Sequence, residues 1–337
     1  GGDGGDDRGH QGLGGEAAQK WRERGGCGRI RGAGASASAL SVNQGAHEKG
    51  IPYMVTGGHT DPVTGAECHW TTFRICTTTY MLAAGLVNTL ASKFGKKWYF
   101  ITPDYAFGHT FQAAYAKILA SLGGEVLGNS LSPLGTTDFS SYLIKAQSTN
   151  PQVLILLVDG QDLVNCMKQA VQFGLQKKMA IGGGLSELEV LNALSPDARL
   201  GWWTLEWYWN QPGVPHVKEW VASYRKTYTD GSYPSARTWF GYAGLHSLAL
   251  GAAHAKSIEP TKLAKALEGL ELPPEIKLQP NKVYFRKEDH QLMSSEFPGE
   301  INSKGKYPDL FKVASVVPGD KTALPVTETG CKLDYPA

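Results

Sequence analysis

An α/β fold built on a doubly wound parallel sheet is predicted by three features of this chain. Short apolar runs alternate with helical stretches at roughly thirty-residue intervals, the rhythm of such a sheet. One run, VLILLV from Val153 to Val158, is apolar throughout, as expected of a strand covered by helices on both faces. The stretch from Lys96 to Leu122 contains one whole unit of strand, loop and helix.

Residues 1 to 31 differ from the rest of the chain. More than a third of them are glycine, mixed with Arg, Asp and Glu. Such a stretch buries too little surface to offset its ordering entropy, so a disordered tail or a segment foreign to the fold is expected. Order resumes at Gly32, where GAGASASAL enters a helix with Ser36 or Ser38 as N-cap. IPYMVT reads as a strand and GGHTDPVTGAECHW as a long polar loop. From Thr77 to Phe94 a helix carries Met81, Leu82, Leu86 and Leu90 on one side.

Trp98 to Thr102 is the strand of the central unit, broken by Pro103-Asp104. Its helix is read from His109 to Leu122 and stopped by Gly123-Gly124. Tyr105 and Phe107 fall in the loop between, at the carboxyl end of a strand, where open α/β sheets hold ligands. They either close over a small molecule or fill the rim of the core. EVLGNSL is the next strand, and Thr137 or Asp138 caps a short helix through Tyr142, Leu143 and Ala146. After VLILLV, the DGQD turn leads into a helix ended by Gly174, and KMAIGGG is a strand with a glycine-rich exit. In RLGWWTLEWYWN, alternation sets Trp207 and Trp209 opposite Tyr208. Helices follow over His216 to Tyr228, Ser235 to Lys256 and Lys262 to Leu270. NKVYFRKEDHQL reads as a strand pair or turn, and the tail as extended chain.

At 337 residues the chain suits one large or two medium α/β domains. The net charge of +2 points to no polyanionic partner, so no nucleic acid is expected. No run reaches the eighteen or so apolar residues that span a bilayer. The opening GGDGGDD has the features of no signal peptide. Cys27, Cys68, Cys76, Cys166 and Cys331 show no CxxC spacing, which argues against a structural zinc site. Cys166 reads as a buried small hydrophobe, and one disulfide among Cys68, Cys76 and Cys331 is open if the protein is exported. His59, His69, His109 and His290 are scattered, as structural or surface histidines are. Glu187, Glu189 and Glu206 pair with no other carboxylate in a pattern that suits acid–base work. Gly32, Gly34 and Ala37 form a GxGxxA, a fragment of a dinucleotide fingerprint, but RIR rather than an apolar strand precedes it. The same helix start suits a carboxylate. No GxSxG, HExxH, P-loop or EF-hand pattern occurs, so no catalytic set is expected.

The pieces WYFITPDYAFG, GTTDFSSYLIKAQ, VLILLVDGQDLVNCMKQAVQFGL, LEWYWN and YFRKEDHQLM, in that order, resemble the type I periplasmic substrate-binding proteins of ABC transporters. Within them the likeness is to the leucine/isoleucine/valine-binding class and its relatives for amides, urea and aromatic carboxylates. It runs from about Gly32 to about Met293. The resemblance implies two doubly wound Rossmann-like lobes joined by three crossovers, with ligand held between them. One lobe would comprise residues 32–95 plus 235–281, the other 96–234 plus 282–337. The ligand's carboxylate would meet Ser36 and the loop at Gly58, His59 and Thr60. Tyr105 would reach across from the second lobe. The DGQD turn, Gly183, Gly184, Trp207 and Tyr208 would line the other wall. Gly183 and Gly184 stand where an amino-acid binder places an acid for the ligand's ammonium, which leaves an aromatic or amide-like carboxylate as open as an α-amino acid.

The resemblance also implies an inner strand, a glycine-rich loop and a helix before Gly32. Their place is taken by the glycine- and arginine-rich stretch, so the first lobe is expected to lack its N-terminal strand and to expose an apolar edge. The implied function is extracytoplasmic delivery of a small amino acid, amide or aromatic carboxylate to a membrane permease, by hinge closure in the periplasm, without catalysis, cofactor or metal. The same fold could serve as the sensing half of a receptor or regulator. A nucleotide-dependent enzyme rests only on the GxGxxA.

Overall fold

The computed structural model describes the backbone of residues 30–32 and the whole of residues 36–336. Gly34 of the GxGxxA and nearly all of the glycine-rich stretch lie outside the described residues, as does the place of the expected missing strand.

Among the described residues there are two sheets. The smaller has three parallel strands in the order β1 (Ile30–Gly32), β2 (Tyr53–Val55) and β3 (Thr72–Arg74). Two of these depart from the sequence reading. Ile30–Gly32 pairs with β2 although it opens inside the glycine-rich stretch, and β3 falls just after the polar loop, in residues that the sequence reading leaves unassigned. Three residues are too few for alternation to register in a sequence. Helix α1 (Ser36–Lys49) joins β1 to β2, and α2 (Thr79–Phe94) follows β3.

The larger sheet contains β4 (Lys97–Pro103), β5 (Glu125–Ser132), β6 (Val153–Leu156), β7 (Ala180–Leu185), β8 (Trp202–Leu205), β9 (Phe297–Ile301) and β10 (Phe311–Val313), in the order β10-β9-β8-β7-β6-β4-β5. Strands β4 to β8 are parallel, while β9 runs antiparallel to β8 and to β10. The period of two is visible in the burial. Trp98, Phe100, Val153 and Ile155 enter one core with Leu82, Leu86 and Leu90 of α2 and Phe111, Tyr115 and Leu119 of α3 (Ala106–Ser121). Tyr99, Ile101, Leu154 and Leu156 enter the opposite core with α4 (Ser140–Ser148) and α5 (Gly160–Gln172). Helix α2 therefore packs on the larger sheet.

A third core lies over the small sheet. It takes Ala39 and Ala46 of α1, Val221 of α6 (Val217–Thr227), Trp239 and Phe240 of α7 (Ala236–Ala255), Leu263 and Leu267 of α8 (Pro260–Leu267), and Phe285 and Leu292. Phe285 and Leu292 face each other across an antiparallel bridge with a turn between them, where the sequence reads as a strand pair or turn.

Three local readings need correction. Helix α3 starts three residues earlier than its periodicity suggests, so Tyr105 is its N-cap and Phe107 lies in its first turn rather than in a loop. Helix α4 is capped at Phe139, and Asp138 instead accepts the Ser140 N–H through Oδ1 at 2.9 Å. Strand β8 ends at Leu205, so Trp207 and Tyr208 sit beyond it and alternation does not orient them. Cys68 and Cys331 form a disulfide across 263 residues, with Cα atoms 5.4 Å apart, while Cys76 and Cys166 are buried free thiols. No helix among the described residues is long and apolar enough to cross a membrane.

Candidate functional site

The loop after β2 carries Gly58, His59 and Thr60, and a buried cation shapes it. Arg74 at the end of β3 donates through Nη1 to the carbonyls of Gly58 at 3.1 Å and Thr60 at 2.6 Å, through Nε to Gln291 Oε1 at 2.6 Å, and through Nη2 to the Thr64 hydroxyl. Gly58 lies against α1, where a Cβ would come within 2.2 Å of that of Ala39. The Thr60 N–H donates to Ser36 Oγ at 3.3 Å, so the start of α1 and this loop meet. Thr60 Oγ1 lies 3.2 Å from Thr110 Oγ1 in the first turns of α3. Tyr105 is half-buried at the cap of α3 and stacks on Phe107, which is itself in the core.

His59 points the other way. Its Nε2 is 2.8 Å from Glu206 Oε2, and both side chains are buried. Glu206 Oε1 accepts from the Thr77 N–H at 2.7 Å and the Thr77 hydroxyl at 2.6 Å. Burial alone would raise this carboxyl, but His59, Arg237 and Thr77 together hold it below the usual carboxylate range. One acid just past β8 thus ties down both the loop after β2 and the segment leading into α2.

Arg237, in the first turn of α7, completes the junction. Its Nε is 3.0 Å from Glu187 Oε1, and its side chain is 35% exposed against 8% for the acid. That Glu187 oxygen is close enough for an ion pair but meets no partner at hydrogen-bond geometry. Burial pushes the Glu187 carboxyl up to about 8, and the nearby Glu206, Glu189 and Asp159 add to this while Arg237 opposes it. Burial works against the charge of Arg237, but Glu187, Glu206 and Asp159 outweigh it and raise its pKa. No hydrogen bond to the two terminal nitrogens of Arg237 occurs among the described residues. The buried Ser186 and Ser235 hydroxyls and Asp159 Oδ1 are also without partners.

The remaining expected wall residues are packed otherwise. A Cβ on Gly183 would lie 1.8 Å from the Trp203 ring, and one on Gly184 would lie 1.6 Å from the Phe111 ring. Both glycines are therefore faced by core rings, and the Gly183 carbonyl accepts from the Tyr115 hydroxyl at 3.0 Å. Trp207 is buried in the core over the small sheet, its Nε1 donating to the Leu278 carbonyl at 2.7 Å. Tyr208 is buried on the larger sheet and donates to the Phe311 carbonyl at 3.1 Å. It borders a separate groove of about 600 Å³ that Asn210, Asp309 and Lys312 also line.

Sequence reasoning passed over Arg237 and gave Glu187 and Glu206 no partner. One signal was available. An arginine in the first turn of a helix opposes the macrodipole and calls for nearby acids.

A model of the periplasmic binding protein family matches residues 4–306, wider at both ends than the stretch that carries the resemblance. The chain belongs to the periplasmic binding protein family. A periplasmic binding protein from Burkholderia mallei is 30% identical, with a TM-score of 0.86 over 95% of this chain and 84% of that one. An amino acid ABC transporter substrate-binding protein from Pseudomonas fluorescens is 28% identical, with a TM-score of 0.84 over 97% of this chain and 87% of that one. The Leu/Ile/Val-binding protein homolog 8 of Brucella abortus is 26% identical over 260 residues, or 72% of this chain. The chain spans 64% of the length of that relative.

Proposed function

We propose that this chain is the solute-binding component of an ABC importer, working outside the cytoplasm and holding a small amino acid or amide between its two sheets. The observation that carries the reading is the Arg237 junction. A part-exposed guanidinium offers a free fork, as a ligand carboxylate requires. Glu187 and Asp159 offer acceptors for an ammonium or amide N–H, which meets the doubt raised by Gly183 and Gly184. Ser36, Thr60 and Tyr105 complete the ligand wall in this proposal. Arg237 stands over the small sheet's core and Glu187 over the larger sheet's, so a ligand on both would favour the closed arrangement. In this reading α2 moves with the larger sheet, although a division at residue 95 would leave it with the smaller. The Cys68–Cys331 disulfide supports an oxidising compartment such as the periplasm. The names of the relatives from Pseudomonas fluorescens and Brucella abortus point to the same class of solute.

A thermal-shift screen of amino acids, amides, urea and aromatic carboxylates tests this. A small amino acid or amide should raise the melting temperature. Arg237→Gln should weaken that ligand by about tenfold or more while melting normally without it. A screen in which no solute moves the melt would sink the proposal, and a response to aromatic carboxylates alone would move it to that class.

A further inference from the structure

Three residues from distant parts of the chain meet at one place outside the ligand junction. His47 lies in the last turn of α1, His69 in the loop before β3, and Asp334 in the C-terminal tail. Asp334 Oδ2 is 2.8 Å from His69 Nδ1 and 3.3 Å from His47 Nε2, and all three donor atoms lie within 4.8 Å of one another. The two imidazoles stack with centroids 3.9 Å apart and planes 9° from parallel.

Hydrogen bonds hold the site from outside. Gln44 Nε2 donates to Glu48 Oε1 at 2.9 Å, which turns the Gln44 carbonyl oxygen toward His69. That oxygen is 3.3 Å from His69 Nε2. His69 Nδ1, on the other side of the ring, faces a carboxylate oxygen at 2.8 Å. The other Asp334 oxygen is already used, accepting the Trp70 N–H at 3.1 Å. A His ring nitrogen beside an amide oxygen, and a carboxylate held by a backbone N–H, are the kind of outer contacts that orient metal ligands. Metal–donor bonds of about 2.0–2.2 Å on a tetrahedral ion set donor atoms about 3.3–3.6 Å apart; the 3.3 Å from Asp334 Oδ2 to His47 Nε2 already matches, and the 2.8 Å to His69 Nδ1 would lengthen to admit the ion.

We propose that His47, His69 and Asp334 form a binding site for a divalent transition metal of the zinc class, with solvent at the remaining position. The metal would fasten the C-terminal tail to α1 and to the loop before β3. The Cys68–Cys331 disulfide stands beside it in sequence at both ends, one residue before His69 and three before Asp334, and so delivers the carboxylate.

The test is calorimetric titration of the full chain, stripped with a chelator, with ZnCl₂ at neutral pH. One equivalent should bind, and the metal should raise the melting temperature. His69→Gln and Asp334→Asn should each weaken binding by about tenfold or more while melting close to the parent without metal. Titrating the His47→Gln/His69→Gln double variant separates this site from His10 and Cys27. If zinc fails to bind, or binds the double variant as well as the parent, the proposal is overturned and the cluster is a hydrogen-bonded tie of the tail alone.

Discussion

In the smaller sheet, β3 ends in a guanidinium with no exposed surface, and neutral oxygens from the loop after β2 and from Gln291 surround it. In the larger sheet, the matching stretch of β7 is glycine, and the Trp203 and Phe111 rings lie flush on its backbone. One half fixes the loop after β2 with hydrogen bonds from a buried cation. The other fixes its strand ends by close packing. Under the proposed function the difference has a use. A loop that touched the solute would need directional bonds, and a sheet that closed against it would need stiffness.

The strongest way to break this contrast is Arg74→Met. It leaves the Gly58 and Thr60 carbonyls without their side-chain donor and takes one of its two donors from Gln291 Oε1, and should cost about 3 kcal/mol or more of stability. Urea denaturation measures it, and an unchanged midpoint would mean that the loop is held by other contacts. Gly184→Ala probes the opposite half. A methyl there must displace the Phe111 ring, at a cost of about 1–3 kcal/mol. A neutral result would show that the larger sheet yields where packing says it should not.

The smallest effect sharpens the picture at the junction itself. Glu187 has its folded pKa raised to about 8 from the ordinary 4.5. Between those values the folded chain holds the proton and the unfolded chain releases it. Stability from this group is therefore full below about pH 4.5 and is lost as pH rises through about 8. Glu187→Gln should flatten that part of the stability–pH curve, read by denaturation at several pH values. An identical slope in the variant would show that Arg237 keeps Glu187 charged throughout.

The larger sheet was mostly legible in the sequence, because each unit is local. The VLILLV run, the glycine stops and the Leu and Ala spacing all act within one helix or strand. The small sheet was less so, since β1 and β3 are three residues each and contain Arg31 and Arg74. At the candidate site, Ser36 and Thr60 do meet, whereas Trp207 and Tyr208 look from their sequence like a ligand wall and pack as core. The charged junction was invisible for a different reason. His59 and Glu206 are 147 residues apart, and Arg74 and Gln291 are 217 apart. No periodicity links residues at such distances, and the fold alone brings them together.

The body begun by α1 is finished by the chain's far end. Its core draws on α7, α8, Phe285 and Leu292, and Tyr335 packs against it from the tail. The sulfur bridge then seals that arrangement over a span of 263 residues. A ribosome makes proteins from front to back, so α1 must wait, without its core partners, until the segments that cover it emerge. Whatever guards the nascent chain has to shield the earliest segments for the longest time.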